Sequence, residues 1–211
     1  MSSTTAGLGA RSLHKLKSRT AGQRQSLEQA GLFLKNFFRH PKMLGSAIPS
    51  SRYLTNRVLD RTDWETARTI IEFGPGVGTF TRNILSRMSP EARLLAIELN
   101  SEFCQALTET ITDPRFEIAQ GSAAEVKRWM YIRSLPKADF ILSGIPYSLL
   151  SHEMRQDILT ASRDSLTDDG VFVAFQYTRW VLPDLQRVFS RVEEDFEPMN
   201  ILPARVFYCR V

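Results

Sequence analysis

Cysteine is scarce in this chain: 211 residues hold two, Cys104 and Cys209. Two isolated thiols make neither a zinc-ligand spacing nor a disulfide framework, so a metal-stapled or cystine-stapled fold is excluded and a reduced, cytoplasmic protein with no metal is expected. Long apolar runs are missing too. None approaches the about 20 residues that a membrane-spanning helix needs, and Met1-Ser2-Ser3-Thr4-Thr5 lacks the apolar core of a secretory signal. Acidic residues are short at one end only. Residues 1–60 carry ten Lys and Arg against Glu28 and Asp60, whereas the remainder holds 17 basic and 21 acidic residues. The net charge of +4 therefore comes entirely from the N-terminal part, and such an arm seeks a polyanion, either nucleic acid or an anionic membrane surface. With 43% apolar residues the chain has material for one well-filled core.

Against these absences stands one dense stretch, Ile70-Ile71-Glu72-Phe73-Gly74-Pro75-Gly76-Val77-Gly78-Thr79. An apolar strand ends in a glycine turn, and a helix is predicted over 80–87. Glycines let the backbone pass close to a ligand without a β-carbon in the way. A turn of this kind at the end of the first strand of an α/β sheet is a nucleotide-type site. The spacing is G-x-G-x-G rather than G-x-G-x-x-G, and Glu72 would repel dinucleotide phosphates. A carboxylate there suits a ligand that carries an amine. Leu94-Leu95-Ala96-Ile97-Glu98 is a second apolar run ending in an acid, placed to accept from ribose hydroxyls, with Leu99 beside it.

The remaining pattern is regular. Residues 116–120 read as a third strand leading to Gly121-Ser122-Ala123, and 138–143 as a fourth leading to Gly144-Ile145-Pro146-Tyr147. A helix over 150–166, a turn at Asp168-Asp169-Gly170 and a strand over 171–176 follow, then strands over 191–196 and 206–211. Cys104 falls in a helix and reads as core. Strands alternating with helices predict a doubly wound α/β sheet with both faces covered.

The acid-glycine series resembles the first motif of class I S-adenosylmethionine-dependent methyltransferases, E-x-G-x-G-x-G. That resemblance implies a seven-stranded, mostly parallel Rossmann-like sheet whose last strand runs antiparallel, with S-adenosylmethionine as cofactor and S-adenosylhomocysteine as product. It implies cofactor contacts from Glu72, Gly74, Gly76, Gly78, Glu98, Leu99, Ser122, Ala123 and Ser143. The pattern usually has Asp where this chain has Ser122, which leaves the adenine contact to a weak hydroxyl or to the backbone at Ala123. His40-Pro41-Lys42 through Gly45-Ser46, Pro49-Ser50-Ser51 is similar to the N-terminal signature of bacterial phospholipid N-methyltransferases. Asn200-Ile201-Leu202-Pro203-Ala204 is similar to their N-x-P-P-A segment, with Leu202 in place of one proline. Gly144-Ile145-Pro146-Tyr147 resembles the N-x-P-Y motif of the related rRNA adenine dimethylases, but their Asn is replaced by Gly144 or Ser143, depending on alignment. An adenine amine needs that side chain because its lone pair is delocalised into the ring. An aliphatic amine does not.

Tyr147 is accordingly the expected catalytic and substrate-facing residue, stacking on a base or making a cation–π contact with a methylated ammonium. Tyr147, His152 or water are the candidates for removing the substrate proton. Ser50 and Ser51 are both good caps for a helix predicted over 52–59, and its start, with Ser50, could meet an anion or a carboxylate. Tyr177 and Arg179 lie just past the fifth strand, where Arg179 is either a phosphate ligand or a solvated loop charge. Residues 1–40 are expected to be a basic amphipathic helical extension and 41–211 the catalytic domain. In the extension, Leu27, Ala30, Phe33, Leu34, Phe37 and Phe38 recur at helical spacing, suited either to an anionic bilayer or to the core. The expected activity is N-methylation of a membrane aminophospholipid, phosphatidylethanolamine towards phosphatidylcholine, by an enzyme held peripherally at the inner face of the cell membrane. The alternatives are methylation of another aminolipid, such as an ornithine lipid, or of rRNA adenine, nucleic acid being the less favoured partner.

Overall fold

The computed structural model describes residues 50–211; the predicted helix over Leu27–Phe38 and the boundary near residue 40 lie outside the described residues. Helix α1 (Arg52–Leu59) starts where Ser51 turns its hydroxyl back to accept from the Leu54 amide at 3.2 Å. That satisfies one of the donors a helix start leaves open. Its Leu54, Val58 and Leu59 are fully buried against the sheet.

Seven strands follow: β1 (Thr69–Phe73), β2 (Arg93–Glu98), β3 (Phe116–Gln120), β4 (Ala138–Ser143), β5 (Leu166–Gln176), β6 (Arg191–Glu197) and β7 (Ala204–Arg210). They form one sheet in the order β3-β2-β1-β4-β5-β7-β6. Strands β1 to β5 pair in parallel, and β7 runs antiparallel to both β5 and β6. This is the doubly wound sheet that the alternation of strands and helices predicts, with the seven strands and the antiparallel last strand that the resemblance implies. The central strand β1 is buried along its whole length, which explains why it reads as a continuous apolar run rather than an alternation.

The crossover helices are α2 (Thr79–Leu85), α3 (Ser101–Thr110), α4 (Val126–Ile132), α5 (His152–Ser165) and α6 (Leu182–Val188). Helix α5 starts two residues later than predicted because Ser151 caps it by accepting from the Met154 amide. Residues 168–170, predicted as a turn, lie within β5. The register against β4 jumps there from Ala138↔Leu166 to Phe140↔Val171, so the extra residues are absorbed as an irregularity of the strand.

Candidate active site

Strand order reverses beside β1: the chain crosses from β1 to β2 on one side and later to β4 on the other. The crevice at the carboxyl ends of these strands is where open α/β sheets bind ligands. The glycine turn fills its floor. Gly74, Gly76 and Gly78 adopt φ of +65°, +54° and +81°, in the left-handed region that other residues enter only at a cost. Their surroundings differ. A β-carbon on Gly76 would meet nothing within 4 Å, whereas one on Gly78 would stand 2.5 Å from Leu107 and 2.7 Å from Arg82. Gly76 therefore borders open space, as a ligand's backbone cradle must. Gly78, expected among the cofactor contacts, has a packing role instead: it is the N-cap of α2 and its amide is used on the Pro75 carbonyl.

Two buried carboxylates flank the turn. Glu98 accepts from the Gly76 amide at 3.2 Å and from the Asn100 amide at 2.9 Å, so the end of β2 holds the glycine loop directly. Burial pushes its pKa up, only partly offset by these amides and that of Leu99. Glu72 accepts from the Thr81 hydroxyl at 2.7 Å, and burial pushes its pKa up to about 7; the Thr81 bond lowers it and the Glu98 charge raises it further. Among the described residues neither carboxylate has an ion-pair partner. A pair of poorly solvated acids around an open glycine cradle fits a cationic ligand, such as one bearing a sulfonium and an ammonium. Thr81 and Asn100 were not anticipated. The first is nine residues from its partner and gains meaning only when α2 folds back along β1.

At the end of β3, Ser122 turns its hydroxyl inward to accept from the Ala124 amide at 3.2 Å and caps the short helical turn Ala123–Glu125. Ser122 and Ala123 are both buried, and Leu99 is half-buried at the end of β2. The end of β4 lies against the glycine turn: the Gly144 amide donates to the Phe73 carbonyl at 2.9 Å. A β-carbon on Gly144 would stand 3.0 Å from the Gly74 carbonyl oxygen and 3.4 Å from that of Phe73. An Asn side chain has no room there without backbone movement.

Tyr147 must be reassigned. Its side chain is fully buried, and its hydroxyl shares a 3.0 Å hydrogen bond with Ser143. Burial holds the phenol protonated, well above its ordinary pKa. It offers no ring face to an ammonium and no base to a proton; it braces Ser143 and the end of β4 from beneath. Arg179 is exposed and paired with Glu194 at 2.9 Å. Ser50 is half-buried just ahead of α1, where Ser51 rather than Ser50 makes the cap. Tyr177 is 45% exposed past the end of β5. His152 opens α5, its Nε2 3.9 Å from Asp184.

The backbone and sequence have clear relatives. Residues 38–178 match the family model described as ribosomal RNA adenine dimethylase. Over 181 residues, 85% of this chain and 94% of the relative, the chain is 30% identical to an ornithine lipid N-methyltransferase of Singulisphaera acidiphila. It is 28% identical over 109 residues to the ribosomal RNA small subunit methyltransferase A of Parasynechococcus marenigrum, but there covers only 35% of that protein. The fold superposes on a precorrin-6y C5,15-methyltransferase from Geobacter metallireducens with a TM-score of 0.59 at 16% identity, covering 75% of this chain and 87% of that one. It also resembles an Aeropyrum pernix fibrillarin bound to S-adenosylmethionine, with a TM-score of 0.56 at 16% identity over 74% and 72% of the two chains.

Proposed function

This chain belongs to the ribosomal RNA adenine dimethylase family and is an S-adenosylmethionine-dependent methyltransferase; from that premise we propose that its substrate is the aliphatic amine of a membrane aminolipid. The observation that carries the reading is Gly144. The dimethylase motif needs an amide side chain at this point to hold a planar adenine amine, and here the backbone of the glycine turn occupies its space. The relative that matches along nearly its whole length is named for an ornithine lipid, whereas the ribosomal RNA enzyme of Parasynechococcus marenigrum is matched over about a third of its own. The substrate class is therefore an aminolipid, with ornithine lipid ahead of phosphatidylethanolamine.

When bound, S-adenosylmethionine supplies a methyl group made electrophilic by its sulfonium. The chain binds and orients around it. Gly74 and Gly76 leave the backbone bare where the amino-acid end would lie, Glu72 and Glu98 balance positive charge, and Glu98 has lone pairs left for ribose hydroxyls. Ser143 and Gly144 form the wall at the end of β4, and Tyr147 keeps that wall in place. The acceptor amine would have to be neutral to take up that methyl, and the wall at the end of β4 would hold its nitrogen towards the cofactor. Tyr147, buried and protonated, does not take the ammonium proton, which leaves His152 or water for that role. Holding donor and acceptor in line accounts for most of the acceleration in such a reaction.

The test is incubation of the protein with methyl-labelled cofactor and, in parallel, vesicles containing ornithine lipid, vesicles containing phosphatidylethanolamine, and unmodified small-subunit rRNA. Label in the ornithine lipid band is expected, with less or none in phosphatidylethanolamine. Label in rRNA with none in either lipid would overturn the reading.

A further inference from the structure

The β6–β7 hairpin ends in Pro198-Met199-Asn200-Ile201-Leu202-Pro203, six residues without a charge. Met199, Ile201 and Leu202 are 61%, 65% and 40% exposed. The tip lies at the same edge of the sheet as the active site, because Gln176 at the end of β5 pairs with Arg205 and Glu197 pairs with Ala204. The tip is also held firmly. The Asn200 side chain accepts from the Ser51 amide at 2.9 Å and donates to the Leu202 carbonyl at 2.9 Å. The serine pair ahead of α1 and the Asn-Ile-Leu-Pro segment, 149 residues apart, are thereby joined into one corner. Exposed Tyr53 lies on α1 beside that corner, and exposed Tyr177 and Trp180 follow β5. Trp180 is fixed by Arg155, whose guanidinium lies 4.0 Å from its ring centre while pairing with buried Asp184 at 2.9 Å.

Behind the tip, β6 carries Glu193, Glu194, Asp195 and Glu197, an acidic row that would repel an anionic surface. Each is matched. Arg57 pairs with Asp195 and Glu197, Arg61 with Glu193 and Asp195, Arg179 and Arg205 with Glu194, and Arg191 with Glu193. Five arginines thus neutralise four acids.

We propose that this corner is a bilayer-docking surface: the Met199–Leu202 tip inserts among the acyl chains, and Tyr53, Tyr177 and Trp180 sit at the headgroup level. The inference deepens the aminolipid reading and rests on it. An apolar, uncharged wedge rimmed by Tyr and Trp is suited to the boundary where one end is apolar and the other wet. The Met199–Leu202 tip itself offers no cation to an RNA phosphate. Inserted this way, the active-site edge of the sheet faces the membrane, so a headgroup amine reaches the end of β4 without its lipid leaving the bilayer.

The test uses the full chain. Cys104 and Cys209 are buried, so Ile201→Cys offers a single accessible thiol for an environment-sensitive dye. On vesicles of ornithine lipid with phosphatidylglycerol, the dye should brighten, shift to the blue and be quenched by lipids carrying a nitroxide on the acyl chain. The double variant Met199→Ser/Ile201→Ser should lose about tenfold or more of its turnover on vesicles, the scale set by removing several buried methylenes. It should keep wild-type turnover on a short-chain aminolipid dispersed as monomers. A water-like dye together with full vesicle activity in the double variant overturns the docking surface while wild-type lipid methylation leaves the substrate reading intact. No methylation of either lipid form by wild type overturns both. A dye response to structured RNA but not to vesicles also overturns the docking surface.

Discussion

Glu72 titrates near neutrality because its carboxylate is buried with a single hydroxyl partner, Thr81, and with Glu98 nearby. Its folded pKa of about 7 lies above the ordinary 4.5, so the folded state binds the proton more tightly than the unfolded chain does. Cofactor-free stability should therefore be highest at low pH as far as this group is concerned, and should fall as pH rises through this window, by about 3 kcal/mol in all. A cationic ligand reverses the preference, since it favours the ionised form. Affinity for S-adenosylmethionine should thus weaken as pH drops below about 7. Glu72→Gln keeps an oxygen for Thr81 but removes the charge. Thermal melts from about pH 5 to about pH 8, with and without cofactor, should show the variant flattening both dependences. Identical pH profiles in wild type and variant would contradict this assignment of charge.

The turn between β1 and α2 does two jobs with one residue type, and the two are separable. Gly76→Ala should fold, losing about 1–2 kcal/mol to left-handed strain, yet bind S-adenosylmethionine at least about tenfold more weakly because its methyl enters the open cradle. Gly78→Ala adds the same strain and a collision with Leu107, for a loss of about 2–5 kcal/mol, while folded molecules keep their cofactor affinity. Melting curves beside calorimetric titration decide the matter; equal cofactor affinity in wild type and Gly76→Ala would contradict the cradle. The sequence shows three glycines alike, because spacing cannot say which Cα faces a ligand and which faces a leucine from another helix. Strands were legible for the opposite reason: β1, β2 and β4 are buried apolar runs whose ends coincide with acids or glycines. Tyr147 was misread because a residue just past a strand end can point either into the crevice or under it. The Asn200 clamp on Ser51 is not legible in the sequence, since nothing local to either segment signals a contact across the fold.

At the scale of the whole molecule, the described residues place the cofactor cradle, the Gly144 wall and an uncharged apolar corner along one edge of the sheet. Among the described residues no helix is long and apolar enough to cross a membrane. The ten basic residues of positions 1–60 include Arg52 and Arg57, the latter already committed to Asp195 and Glu197. The most direct measurement is mass spectrometry of total lipids and small-subunit rRNA from a host without N-methylated aminolipids, expressing either the wild-type chain or Glu98→Ala. Lipid methylation predicts a series of successive methyl additions on an aminolipid headgroup in the wild-type cells, absent with Glu98→Ala, and no new dimethyladenosine. New dimethyladenosine in the rRNA beside an unchanged lipid profile would contradict it.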